Sequence, residues 1–199
     1  MENRRSTGQR AGLTHARVLA AARELLAADG LHRLTMRALA ARLGVAPNAL
    51  YSHVTNKTAL LDELLDDALG NIPVSAQDAT STAAGLHQMM TGTFEALLAH
   101  ADLVPLYVAR QGARGPNAQR LGQVALALLA ETGITGDRAS EALRVLIVYT
   151  IGFAGFAIAP SIDPAGAAAL SASELGRNFD HGLCWLLVGI LSPDDARTR

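Results

Sequence analysis

A single cysteine, Cys184, stands among 199 residues. An internal disulfide framework and any multi-thiolate zinc site are thereby excluded, and the usage fits a reducing cytoplasm. Aromatic residues make up 4% of the chain and charged residues 18%, against 50% hydrophobic residues. That balance rules out disorder across the whole chain and supplies a substantial core. A net charge of one sign is also missing. The 17 basic and 18 acidic side chains leave −1, so the global balance does not predict a polyanionic partner. β-Branched residues are sparse beside alanine and leucine, which favours helices throughout. No signal peptide opens the sequence, because residues 1–10 are polar and the apolar residues after them are interleaved with Arg and Glu.

Charge is absent from one long run. Between Arg144 and Asp163 lie eighteen uncharged residues, 145–162, at the threshold for a membrane span. Pro160 shortens the usable helix, and Tyr149, Thr150, Gly152 and Gly155 dilute its hydrophobicity. A fully buried helix, packed on its own subunit and on a second one, explains the run better, and no membrane partner is expected.

The near-neutral total hides a split. Residues 1–60 hold nine basic and three acidic side chains, a net +6, whereas the remainder holds eight basic and fifteen acidic ones, a net −7. A nucleic-acid-binding module attached to a non-binding companion has this profile; chance clustering on a solvated surface is the alternative.

Capping residues and apolar spacing divide the chain into helices. After a polar, basic arm over 1–12, Thr14 can cap a helix running to Asp29 with Val18, Ala22, Leu25 and Leu26 on one face. Gly30 is placed to stop it in the left-handed conformation. Thr35 caps a short helix with Met36, Leu39, Ala40 and Leu43 inward, and Gly44 ends it. Pro47 fits the first turn of a third helix reaching about His53. Asn56 caps a fourth, in which Leu60/Leu61, Leu64/Leu65 and Ala68/Leu69 recur every four residues. A polar stretch, 75–82, precedes a helix to about His100, and a short helix around Pro105 follows over 102–111. Helices of about 117–132, 137–159 and 171–191 complete an all-α chain, with breaks at Thr132-Gly133 and over 160–166.

The informative segment is 35–61, TMRALAARLGVAPNALYSHVTNKTALL. A helix of about eight residues, a glycine turn and a second short helix have the proportions of a helix-turn-helix. Leu39, Leu43, Val45 and Leu50 can share one small core that fixes the two helices at a steep angle. The outer face of 47–53 is then free to enter a major groove.

This segment and the helix before it resemble the DNA-binding domain of the TetR family of bacterial transcriptional repressors. Leu39-Ala40, Leu43-Gly44-Val45, Leu50-Tyr51, His53-Val54, Asn56-Lys57 and Leu60-Leu61 stand at the family's intervals over about residues 13–65. The wording LYSHVTNK is similar to the tetracycline-repressor-like branch. The resemblance implies a basic arm (1–12), a helix-turn-helix domain (13–56), a connecting helix (57–70) and a helical ligand-binding and dimerisation domain (71–199). It implies a cytoplasmic homodimeric repressor of a palindromic operator in double-stranded DNA, released by a small, apolar effector through movement of the fourth helix. No cofactor is implied.

Side-chain chemistry assigns roles within the reading head. Thr35, Arg37, Tyr51, His53 and Lys57 offer hydroxyl, guanidinium, imidazole and ammonium groups to phosphate oxygens, which fixes register. Pro47, Asn48, Ala49 and Ser52 are left to face bases, so specificity should rest on Asn48, on apolar contact with thymine methyls and on DNA shape. Arg4, Arg5 and Arg10 either follow the DNA or form an untethered tail. The rival reading is a helical small-molecule or protein-binding module whose helix-turn-helix is purely structural.

No catalytic constellation appears, so an enzyme is not expected. For metal ligation, His87 and His100 lie thirteen apart and Cys184, beside Trp185, reads as a core thiol, so no ligand set is expected. Polar and aromatic groups within the apolar second domain give candidate pocket residues: His87, Met90, Phe94, His100, Tyr107, Arg110, Tyr149, Phe153 and Asn178, with core packing as the competing explanation for each. Two apolar stripes on the last helices are candidates for a subunit interface. One is Leu143, Ile147 and Ile151; the other is Phe179, Leu183, Leu186, Leu187 and Ile190, with Gly152 and Gly155 permitting close helix approach.

Overall fold

A computed structural model describes residues 12–73, 80–159 and 170–192. Among them there are helices and no strand. Residues Arg4, Arg5 and Arg10, most of the polar stretch 75–82, and the expected break over 160–166 lie outside the described residues. The chain divides into two compact units, one ending at Asp67 and the other beginning at Ala68.

The first unit contains α1 (His15–Asp29), α2 (Met36–Leu43), α3 (Pro47–Leu50) and α4 (Lys57–Asp67). Local chemistry sets their ends. The Thr14 hydroxyl accepts from the Arg17 amide at 3.2 Å, Thr35 from Ala38 at 3.1 Å, and the Asn56 side-chain carbonyl from Ala59 at 2.8 Å. Gly44 terminates α2 at φ 68°, ψ 30°, and the Val45 amide reaches back to the Ala40 carbonyl at 3.0 Å. Gly30 differs from expectation: its φ is 75° but its ψ is 172°, so α1 ends with an extended exit that its amide ties to the Leu26 carbonyl at 2.8 Å. The shared core holds Leu34, Leu39, Leu50, Leu60 and Leu64, all essentially inaccessible. Leu43 and Val45 are half-buried at its edge. Two ion pairs, Arg23–Asp67 and Arg42–Glu24, and a hydrogen bond between His15 and Glu63 link α1 to α4 and α2.

The second unit contains α5 (Thr82–Ala99), a 3-10 turn (Ala101–Leu103), α6 (Val104–Arg110), α7 (Pro116–Glu131), α8 (Gly136–Ile158) and α9 (Ala172–Leu191). The helix α5 packs against α7, α8 and α9, and α8 also touches α6, α7 and α9. Leu86, Met89 and Leu97 of α5 and Leu146 of α8 are fully enclosed, so α5 forms the centre of this bundle. Pro116 starts α7, Gly133 at φ 81° ends it, and Ser171 with Glu174 forms a reciprocal capping box on α9.

The expectation was that α8 is buried between its own subunit and a second one; within the single subunit it is buried along one side. Its buried side chains form one stripe, Ala139, Ala142, Leu146, Thr150 and Ala154. Val145, Val148 and Phe156 point away from the bundle and are exposed. The reason is geometric: a helix at the margin of a bundle buries one side, however apolar the other side is. By length and composition α8 is apolar enough to cross a membrane, and Arg138, Glu141 and Arg144 lie in its first half.

Candidate nucleic-acid interface and ligand cavity

In the first unit, Leu50 anchors α3 from below with no accessible surface, which turns the remaining side of that short helix outward. The helical hydrogen bonding of α3 ends at Leu50, and a turn continues it: the amides of His53 and Val54 both reach the Leu50 carbonyl at 2.9 Å. Pro47, Asn48, Tyr51 and Ser52 are exposed, while Ala49 and His53 are half-buried. Tyr51 leaves 51% of its surface accessible, and a large aromatic side chain with a hydroxyl tip is suited to packing along a sugar–phosphate backbone.

Hydrogen bonds within the unit sharpen these roles. Ser52 donates its hydroxyl proton to the Ala49 carbonyl at 2.8 Å, so toward a base it offers an acceptor. Thr35 does the reverse, since its oxygen accepts from Ala38 and its hydroxyl proton remains to donate to a phosphate oxygen. Lys57, at the first turn of α4, reaches the Leu31 carbonyl at 3.4 Å, a long contact that an anion would outcompete. Arg37 is exposed on α2. Arg23 and Arg42 are paired with carboxylates, which removes them from the set of cations presented outward.

The second unit encloses a cavity of about 130 Å³ lined by Met89, Met90, Thr93, Leu97, Tyr107, Gln111, Leu121, Gly122, Leu143, Ile147 and Ile151, among others. Its walls are hydrocarbon. Its polar lining side chains are Thr93, whose hydroxyl donates to the Met89 carbonyl at 2.8 Å, Tyr107 and Gln111. Gln111 closes α6 in the left-handed conformation at φ 55°. A wider cleft lined by Tyr107, Gln111, Leu143, Arg144, Ile147 and Ile151 adjoins the cavity and shares five of its residues.

Of the expected pocket residues, Met90 and Tyr107 line this cavity. Phe94 is instead stacked on Phe179 with ring centroids 4.1 Å apart, in an aromatic cluster with Tyr149 and Phe153. Tyr149, Phe153 and Asn178 border a separate cleft with His181, Trp185 and Leu186. His87 borders an outer groove with Cys184. His100 caps the end of α5 and Arg110 ends α6, neither being part of the cavity wall. Thr93, Gln111 and Gly122 were not anticipated; the spacing Met89, Thr93, Leu97 along α5 is the signal that could have found the first.

The stripes expected at a subunit interface are placed as follows within the single subunit. Leu143, Ile147 and Ile151 line the cavity, and Phe179, Leu183 and Leu187 are buried in the subunit's own core, with Leu186 and Ile190 half-buried beside them. The large apolar side chains left exposed are Val145, Ile147, Val148 and Phe156 on α8 and Trp185 and Val188 on α9; Trp185 is 75% accessible. Cys184 is exposed, not a core thiol. Both helices are apolar on more than one face, and the face that meets α5 becomes core.

Tyr149 donates to the Phe179 carbonyl at 2.8 Å. Burial, followed by the neighbouring Asp180 and Cys184, pushes its phenol above the ordinary value. Glu174 moves in the opposite direction: hydrogen bonds from the Ser171 hydroxyl and amide hold its carboxyl below the ordinary range.

Comparison with known proteins agrees with this architecture. Residues 18–64 match the model of bacterial regulatory proteins of the tetR family, and residues 76–182 match the tetracyclin repressor-like C-terminal domain. The class A tetracycline repressor protein from transposon 1721 of Escherichia coli is 33% identical over 140 residues, covering 68% of this chain and 62% of the repressor. The chain spans less than two thirds of the length of the first curated relatives it matches. BioQ in complex with its double-stranded DNA operator superposes with a TM-score of 0.67 at 26% identity, covering 90% of this chain and 98% of BioQ. ActR of Streptomyces coelicolor, a TetR family protein in complex with (S)-DNPA, gives 0.73 at 25% identity, covering 90% and 97%. With one matched model over the helix-turn-helix and a second over more than half of its length, the chain belongs to the TetR family of bacterial regulatory proteins.

Proposed function

We propose that this protein is a transcriptional repressor that binds a near-palindromic operator in double-stranded DNA as a homodimer and leaves it when a small, apolar molecule enters the cavity of the second unit. The carrying observation is the outward face of 47–53, where exposed Pro47, Asn48, Tyr51 and Ser52 are flanked by Thr35, Arg37, His53 and Lys57. BioQ, similar in fold, has been solved on its DNA operator, and ActR with a small molecule.

In this reading residues 13–56 form the reading head, 57–70 the connecting helix, and 71–199 the effector and dimerisation domain. Thr35, Arg37, Tyr51, His53 and Lys57 hold phosphates, while Asn48, Ala49, Ser52 and Pro47 face bases. The cavity lining fits an effector that is largely hydrocarbon with one or two hydrogen-bonding groups near Thr93, Tyr107 and Gln111. A hundredfold loss of operator affinity requires about 2.7 kcal/mol of differential effector binding. The exposed apolar side chains of α8 and α9 serve subunit contact and not lipid, and the protein works in the cytoplasm without an enzymatic step.

Fluorescence anisotropy on palindromes from the DNA upstream of the coding region tests this reading. Binding should weaken steeply with salt and fall at least about tenfold in both Tyr51→Ala and Lys57→Ala. Wild-type affinity in both variants, or binding indifferent to salt, would instead support a helical module whose helix-turn-helix is purely structural.

A further inference from the structure

Three side chains with different donor atoms meet on the outside of the second unit. His87 comes from α5, and Asp180 and Cys184 sit one helical turn apart on the same face of α9. An imidazole nitrogen, a carboxylate oxygen and the thiol sulfur all lie within 4.8 Å of one another. Sequence spacing conceals the set, because only packing of α5 on α9 brings His87 to the other two. The sequence leads to the expectation of no ligand set, and spacing along the chain could not have shown this one.

His87 Nε2 is buried and lies 2.8 Å from Asp180 Oδ1, yet the approach is too poorly aligned to count as a hydrogen bond. The nitrogen thus lies beside a carboxylate without a hydrogen bond of good geometry, and Asp180 and Cys184 are exposed, so both side chains have room to reorient about it.

We propose that His87, Asp180 and Cys184 form a zinc-binding site that ties α5 to α9. Nitrogen, oxygen and sulfur are the donors zinc takes, at about 2.0–2.3 Å, which sets neighbouring donors about 3.3–3.8 Å apart in a tetrahedron. The present separations, from 2.8 Å between His87 and Asp180 up to at most 4.8 Å across the set, bracket that range, so rotation of the two exposed side chains suffices to open the one and close the other. One carboxylate and one thiolate balance the dipositive ion, the imidazole binds as the neutral form, and a water takes the fourth position. On binding, the Cys184 thiol gives its proton to solvent as the sulfur–zinc bond forms, so affinity rises with pH. Tyr149, held by the Phe179 carbonyl, is a further titratable group close to Asp180 and Cys184, and Arg177 and His181 lie within a turn of them on α9. The site involves neither the outward face of α3 nor the cavity, but Val188, one turn beyond Cys184, shares its groove and belongs to the surface read here as the subunit contact; ion uptake is therefore read beside sedimentation velocity, which distinguishes failure of the site from failure of the dimer.

The experiment uses the full chain, stripped with chelator and dialysed, then titrated with zinc chloride against a chromophoric competitor and, separately, with cobalt(II). The expected result is one ion per chain, release of about one proton per ion, and a thiolate-to-cobalt charge-transfer band. Cys184→Ser should abolish that band, and Cys184→Ser, Asp180→Asn and His87→Gln should each weaken zinc at least about tenfold. His32→Gln, on an exposed position of the first unit, should match the parent. Circular dichroism establishes that each variant is folded. Uptake below one ion per chain, or zinc affinity and a cobalt spectrum unchanged in Cys184→Ser and Asp180→Asn, overturns the proposal.

Discussion

The Tyr149 hydroxyl of α8 rests on the backbone of Gly182 in α9, where a β-carbon would collide with the phenolic oxygen. The two helices are closed at this point by the absence of a side chain on one and a hydroxyl donating to the Phe179 carbonyl at 2.8 Å on the other. Gly182→Ala should therefore destabilise the fold by about 1–3 kcal/mol through overpacking, even though alanine is the better helix former. Tyr149→Phe in the same background should recover part of that loss by removing the colliding oxygen. Urea unfolding of the four proteins in the cycle measures both terms, and a neutral or stabilising Gly182→Ala would contradict the close approach.

Gly122 presents the opposite case. A β-carbon there meets Leu143 Cδ2 at 3.9 Å, an ordinary contact, within α7 and on the cavity wall. Gly122→Ala should stabilise by about 0.5–1 kcal/mol from helix propensity. Gly122→Leu should fill the cavity, leaving operator affinity intact while abolishing release by an effector. Parallel anisotropy titrations with and without effector separate the two, and full effector response in Gly122→Leu would place the effector elsewhere.

Acid should loosen α9 at its first turn. The folded Glu174 carboxyl lies below its ordinary range because Ser171 donates two hydrogen bonds to it. Its contribution to stability is thus present above the unfolded value and is lost as pH falls through the lowered folded one. Thermal melts between about pH 5 and pH 3 should show a smaller acid-induced decrease in Glu174→Gln than in the parent. Identical pH dependence would mean that the capping box carries no ionic component.

The exposed aromatic and aliphatic groups on α8 and α9 predict a change of assembly. Trp185→Glu places a charge on the exposed apolar side of α9 that also carries Val188, and should convert a dimer to monomers at micromolar concentration in sedimentation velocity. A Trp185→Glu protein that remains dimeric would move the interface off this surface.

The helix ends were legible in the sequence because they are local. Thr14, Thr35 and Asn56 cap the helices they precede, and Gly44 takes the left-handed conformation that only a residue without a β-carbon adopts at little cost. The outward face of 47–53 was legible for a related reason: Leu39 and Leu50 are the large apolar side chains of α2 and α3 that reach the core, so their neighbours must point outward. The faces of α8 and α9 were not legible. Leucines, valines and aromatics surround both helices, and periodicity cannot choose between two apolar stripes. Packing on α5 chose Leu146, Phe179, Leu183 and Leu187 for the core, left Trp185 and Val188 outside, and placed Leu143, Ile147 and Ile151 on a cavity.

The amino-acid sequence alone therefore determined the helical class, most helix boundaries and the outward exposure of Pro47, Asn48, Tyr51 and Ser52, since each depends on residues within a few positions of one another. The tertiary structure decided which side of each apolar helix becomes core, cavity or surface, and which distant donors meet, as His87, Asp180 and Cys184 do. Those outcomes depend on how whole helices rotate to fill a shared volume, and that is a property of the packed bundle.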